Sequence, residues 1–196
     1  MPPSDNFGAV LAAAEHAGAF GEEFMLALAV AYEIQCRFTA AIPVMAKGLN
    51  HAMQLAISTA AAAGRLFGLS ADEIANTVAI ATADNVSLAC VHVEPVSQWK
   101  GFSPGMTCMR AVYAASLAKR GFTGPHGLFE GPKGLEQLLG QRVEVDWEEI
   151  LVELNYLAHV TSWFIFQPVA EFLVNPAANP RRSKVSVYGF RIVASF

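Results

Sequence analysis

Charge is scarce in this 196-residue chain: charged residues make up 15% of it, against 54% hydrophobic residues. So little charge leaves a surface with apolar stretches that another subunit or domain is expected to cover. There is no Lys/Arg cluster of the kind that tracks a phosphate backbone. The nearest, Arg181-Arg182-Ser183-Lys184, is short, and the net charge is −4, so nucleic acid is excluded as a partner. Cysteine is also scarce. Cys36, Cys90 and Cys108 form no CxxC pair, which excludes zinc-finger and thioredoxin chemistry and fits reduced, buried thiols in a cytoplasmic protein. His16, His51, His92, His126 and His159 make no HxxxH or HExxH spacing, so no metal site is expected. Glycine patterns for dinucleotides or phosphates are missing, and no cofactor is implied. No signal peptide is read at the N-terminus. The most membrane-like run, residues 150–174, carries Glu153, Asn155, His159, Gln167, Pro168 and Glu171, which argue against a spanning helix.

What is present is helical periodicity. A first helix is expected over Gly8 to Ala17, capped by Ser4, Asp5 or Asn6 and stopped by Gly18. A second opens at Gly21 and ends at Pro43, with Glu33 and Arg37 spaced for an ion pair. A third follows the Lys47-Gly48-Leu49-Asn50-His51 turn and stops at Gly68, and its alanines 60–63 let another helix approach closely. Ser70-Ala71-Asp72-Glu73 is a capping box for a fourth helix, with Ile74, Val78, Ala81 and Leu88 inward and Asp84 and Asn85 within it. Pro95, Gly101, Pro104 and Gly105 mark residues 91–105 as loop, and a fifth helix is expected from Met106 to Lys119. The fold class is mainly α, a helical bundle over residues 1–145. Residues 146–196 are expected to be an atypical segment, partly helical and then irregular, with short strands at Val143–Trp147 and Val185–Val193.

Two residues suggest chemistry by type and place. Lys100, between Trp99 and Gly101, can present an ammonium to an anion while the glycine lets backbone come close. His51, at a helix start, titrates where proton transfer at neutral pH is useful. On residue type alone, an exposed loop lysine and a half-buried helix-start histidine explain the two better than chemistry does.

Three sets of residues occur in order: Pro3-Ser4-Asp5-Asn6; Lys47-Gly48-Leu49-Asn50-His51; and Ser97-Gln98-Trp99-Lys100-Gly101, followed by Gly121-Phe122-Thr123-Gly124-Pro125 and Phe129-Glu130-Gly131. Together, over about residues 3–149, they resemble the MmgE/PrpD family, which includes 2-methylcitrate dehydratase and cis-aconitate decarboxylase. The resemblance implies a helical domain, usually completed by a smaller α+β domain that is largely missing here, and a homodimer. It implies metal-free, cofactor-free lyase chemistry on small di- or tricarboxylic acids. By position it makes Lys100 and His51 catalytic, with Ser4, Asp5, Trp99 and Gly101 as substrate contacts. The chain departs from the family's pattern at Pro2, where a catalytic histidine usually stands, and it lacks an upstream acidic residue. Two functions are therefore expected: a truncated lyase of dehydratase type, or a non-catalytic remnant serving as an interaction or assembly module on the same helices.

Overall fold

In this computed structural model, residues 3–145 and Trp147 are described in full, and residues 150–155, 158–161, 164–174 and 185–194 as strands. The chain divides into two compact units, Met1–Val145 and Asp146–Phe196. Pro2, Trp163 and the 181–184 basic cluster lie outside the described residues.

The first unit contains α1 (Phe7–Ala17), α2 (Gly21–Ala41), α3 (Ala52–Leu66), α4 (Ala71–Ala83), α5 (Trp99–Ala118) and α6 (Leu135–Leu139). Its organising element is α3, buried at every position from Ala52 to Gly64. α3 is covered on every side because α1, α2, α4 and α5 all pack on it, and its buried polar side chains Gln54, Ser58 and Thr59 are hydrogen-bonded there. Small side chains set how closely they pack. Ala60 meets Ala81, Ala111 and Ala114, while Ala63 meets Ala13 and Ala115. The larger side chains Phe38, Ile42, Val44, Leu49, Met53, Ile57, Leu135 and Leu139 form a second region joining α2, α3 and α6. Removing a fully buried side chain such as Met53 is expected to cost about 2–5 kcal/mol.

The helix ends follow local chemistry. Gly18, at φ 65°, closes α1 with its amide on the Ala14 and Glu15 carbonyls. At α4 the Ser70 amide donates to Glu73 Oε2 at 2.8 Å, and the Glu73 amide donates to Ser70 Oγ at 3.3 Å. The Ser70 amide, and then the Ser70 hydroxyl that donates to the same Oε2 at 2.9 Å, hold the Glu73 carboxyl below its usual range. Arg37 Nε donates to Glu33 Oε2 at 2.8 Å within α2. Among the described residues α2 alone is long and apolar enough, by length and composition, to cross a membrane.

Several expectations are corrected. The fifth helix starts at Trp99, not Met106, so Lys100 lies in a first helical turn and Pro104 inside the helix. Pro104 has no N–H for the Lys100 carbonyl. The helix persists because Ser103, Thr107, Cys108, Ala111, Ala114, Ala115 and Ala118 are buried along it. Conversely, α4 stops at Ala83. Asp84 is its exposed C-cap, Asn85 lies beyond it, and Leu88 is exposed rather than inward. Cys36 and Cys90 are exposed, and only Cys108 is buried. Val143 and Val145 form no strand but pack against the Phe38–Leu139 cluster.

The glycine-rich stretch after α5 is structural. Asn76 of α4 donates to the Phe122 carbonyl at 2.7 Å and accepts the Gly124 amide at 2.6 Å. This pulls Gly124 onto α4 so closely that a Cβ there would lie 2.9 Å from the Ile80 backbone nitrogen, which only glycine avoids.

The described elements of the second unit are strands rather than partly helical and then irregular, and the strand expected at Val185–Val193 is among them. Its strands are β1 (Ile150–Asn155), β2 (Ala158–Thr161), β3 (Phe164–Val174) and β4 (Val185–Ala194). β3 is central and antiparallel to the other three. The physical reason is composition: valine, isoleucine and phenylalanine favour pleated backbone, and polar residues recur at even separations.

Candidate functional site

The Lys47–His51 turn is built by a short 3-10 segment, Val44–Lys47, that Gly48 ends at φ 79°. The chain then pairs with the segment after α4. Leu49 and Leu88 form an antiparallel bridge, the Asn50 amide donates to the Ser87 carbonyl at 2.7 Å, and the Ala89 amide donates to the Gly48 carbonyl at 2.9 Å. This tie holds His51, at the start of α3, beside His92, with ring centroids 5.4 Å apart.

Asn50 orients the pair. Its Oδ1 accepts the Ala52 amide at 2.9 Å, which fixes the amide so that Nδ2 faces His92 Nε2 at 2.8 Å. Nδ2 can only donate, so His92 Nε2 accepts and its ring proton sits on Nδ1. His51 is half-buried, and burial first, then the neighbouring His92, lowers its pKa from the usual 6.5 to about 4. At neutral pH His51 is an uncharged base.

A stability effect follows. The unfolded chain binds a proton at the His51 position near pH 6.5, and the folded chain only near pH 4. The folded state therefore loses stability as pH falls through that window. The loss attributable to His51 is about 1–2 kcal/mol, discounted for partial solvent screening. Chemical denaturation from pH 7 to 4 should show this slope, and His51→Gln should flatten it. An unchanged slope in His51→Gln would contradict the assignment.

Lys100 approaches from α5. The Ala89–His92 turn packs against α5, and Ser87 Oγ lies 3.5 Å from Ser103 Oγ, one turn along from Lys100. The Asn50–Ser87–Ser103 contacts thus connect the histidine turn to the N-terminal end of α5. Lys100 is exposed there, Trp99 is 53% exposed, and Gly101 has open space around it. The first turn of α5 holds no acidic residue, so the helix dipole and Lys100 make that end positive.

Ser4 and Asp5 occupy a 3-10 turn, Pro3–Asn6, that packs on α2, α3 and α5. Asn6 stands at the N-cap of α1, but its side chain makes no cap bond. Instead Asn6 Nδ2 donates to the Pro3 carbonyl at 3.1 Å and to Gln35 Oε1 at 2.5 Å. Asn6 Oδ1 accepts Ser58 Oγ at 3.0 Å and Thr59 Oγ1 at 2.7 Å. The Cys108 thiol lies 3.5 Å from the Asp5 carbonyl, and partial burial raises the Asp5 carboxyl above its usual range. Ser4 itself is exposed.

His51 is therefore grouped with His92 and Asn50, the α5 end carrying Lys100 adjoins the same segment, and Ser4 and Asp5 ride on a buried polar network. His92 and Asn50 were not singled out by sequence reasoning as site residues. Their signal is the Leu49–Leu88 pairing, which no spacing reveals.

The model of the MmgE/PrpD N-terminal domain matches residues 1–148. The chain belongs to the MmgE/PrpD family. Its relatives include the 2-methylcitrate dehydratase-like protein oryR of Aspergillus oryzae, 33% identical over 144 residues that span 67% of this chain and 29% of that protein. The 2-methylcitrate dehydratase of Escherichia coli K12 is 31% identical over 133 residues, 62% of this chain and 28% of that protein. A probable 2-methylcitrate dehydratase of Saccharomyces cerevisiae is 29% identical over 136 residues, covering 62% and 26%. This MmgE/PrpD chain thus spans under a third of the length of these relatives. Residues 130–196 are also similar to the carbohydrate-selective porin family OprB, so the two ends of the chain resemble different families.

Proposed function

We propose that the helical unit serves a lyase reaction of MmgE/PrpD type, the removal of water from a small di- or tricarboxylic acid, with 2-methylcitrate the first substrate to test. The observation that supports this most is the junction of a neutral, half-buried His51 with the positive N-terminal end of α5 bearing Lys100. Dehydration takes a proton from the carbon next to a carboxylate and expels hydroxide from the neighbouring carbon as the double bond forms. His51 accepts the proton and returns it to the departing oxygen, so that water leaves. Lys100, at the positive end of the α5 dipole, holds the carboxylate and its growing negative charge. Trp99, Gly101, Ser4 and Asp5 are assigned to substrate contact. Phe102, Met109 and Tyr113, exposed along α5, support burial against a second copy in a homodimer.

The test is turnover of 2-methylcitrate, and of cis-aconitate for decarboxylation, by the purified full chain. Product formation that scales with enzyme supports the proposal. Saturable binding of either acid without turnover would instead favour a ligand-binding module on the same helices.

A further inference from the structure

A proton acceptor needs more than an open lone pair, because its ring must keep one orientation while the proton moves. The usual holder is a hydrogen bond to the second ring nitrogen. Among the described residues, no hydrogen-bond partner reaches either nitrogen of His51. The ring contact it makes there is with His92, centroids 5.4 Å apart and planes inclined at 51°. The orientation of His51 therefore depends on what holds His92. That is Asn50, 42 residues away in the chain, whose Nδ2 lies 2.8 Å from His92 Nε2.

Asn50 suits this task because it is clamped. It is 2% exposed. Its backbone amide donates to the Ser87 carbonyl at 2.7 Å, its carbonyl accepts the Met53 amide at 3.1 Å, and its Oδ1 accepts the Ala52 amide at 2.9 Å. Turning the side-chain amide over would set its NH2 against the Ala52 N–H. Two buried donors would then face each other and a bond would be lost. The amide therefore has one orientation, and His92 Nε2 always meets a donor. The segment carrying His92 is tied to the same turn a second time, by the Ala89 amide on the Gly48 carbonyl at 2.9 Å. Capping alone does not call for asparagine here. An aspartate would accept the Ala52 amide as well but offers His92 no donor, and a serine hydroxyl stops one bond short of the Asn50 nitrogen.

We propose that Asn50 is a positioning residue for His51. Its fixed amide pins the His92 ring in the tautomer that carries its proton on Nδ1, and the pinned ring holds the His51 imidazole in one orientation. From that orientation His51 takes the substrate proton in the lyase reaction proposed above, on which this last step rests. Asn50 is buried and acts only through His92.

The test joins NMR of the full chain, free of ligand and at neutral pH, to kinetics. Two-bond nitrogen–proton spectra should show neutral His92 with the Nδ1–H tautomer about tenfold or more over the other. Asn50→Ser keeps an acceptor for the Ala52 amide and withdraws the donor from His92. It should bring the two tautomers within about threefold of each other. It should also raise the mobility of the His51 ring, read from carbon relaxation, to the level seen in His92→Ala. In turnover, Asn50→Ser should lower kcat about tenfold and leave KM within about twofold, because nothing that binds substrate is removed. Asn50→Ser combined with His92→Ala should be no worse than His92→Ala alone, within about twofold, since the two act as one unit. Comparable tautomers in the parent chain overturn the proposal. So does a His51 ring as ordered in Asn50→Ser as in the parent, and so do additive losses in the double variant. If Asn50→Ser does not fold, the parent tautomer and the His51 mobility in His92→Ala decide it, and an unchanged mobility there overturns it. A chain that turns over neither acid refutes the lyase reading, while the NMR results decide the role of Asn50 separately.

Discussion

Asn6→Ala should destabilise the helical unit by about 3 kcal/mol and lower its melting temperature by roughly 6–12 °C. Asn6 is fully buried and makes four hydrogen bonds, to Pro3, Gln35, Ser58 and Thr59. Alanine removes both halves of the amide at once. The Gln35 amide nitrogen already has no partner, and Gln35 Oε1 would keep only Ser58, at 3.2 Å. Ser58 retains the Leu55 carbonyl, and Thr59 retains the Cys108 sulfur at 3.6 Å, which bounds the loss. Each buried group left short costs about 1–3 kcal/mol, and the small cavity adds to it. Ser4→Ala, two residues away and exposed, should change stability by under about 0.5 kcal/mol. Thermal melts followed by helical circular dichroism separate the two. A shift below 2 °C for Asn6→Ala would mean that the network is not what anchors the Ser4–Asp5 turn.

The second large effect concerns the proposed chemistry. Replacing His51 by alanine should lower turnover of the dehydratase substrate about 10²–10⁴-fold, the usual contribution of a positioned acid–base group. Lys100→Ala should lower it about 10²–10³-fold, as loss of a fixed donor at a developing charge does. Lys100→Arg should recover less than half of the logarithmic loss, because the planar guanidinium is not a compact point charge. The double variant should lose less than the sum of the two, since both groups act on one transition state. His92→Ala should act through His51. Its own loss should be smaller, and it should move the acidic limb of the rate profile upward by freeing His51 of its neighbour. Turnover unchanged in His51→Ala would remove the histidine from the mechanism.

The features that the sequence made legible and those it hid divide on physical grounds. α1 to α4 were readable because their ends carry local chemistry: Gly18 in the left-handed region, and Ser70 with Glu73 three residues on. The Glu33–Arg37 pair and the alanine packing of α3 follow from helical spacing alone. The start of α5 was misplaced because Gly101, Pro104 and Gly105 carry breaker signals, and only burial against α3 and α4 overrides them. α4 was read too long because the apolar Val86 and Leu88 continue the pattern, yet they belong to the segment that pairs with Leu49. His92 and Asn50 escaped notice for the same reason: a contact across 42 residues leaves no periodic trace. β4 was legible as the strand expected at Val185–Val193, whereas β1 to β3 were obscured because apolar runs interrupted by single polar residues look alike in helix and sheet.

The central claim is that His51 and the Lys100 end of α5 receive one carboxylate ligand together. Its most direct measurement is an NMR titration of the His51 imidazole in the full chain, with and without saturating citrate as an unmodified polycarboxylate probe. The free chain should titrate at about pH 4. Citrate should raise that midpoint by about one unit or more, because a carboxylate beside the ring favours its protonated form, and Lys100→Ala should abolish the shift at the same citrate concentration. A His51 midpoint that citrate leaves in place, or moves equally in Lys100→Ala, would contradict the account.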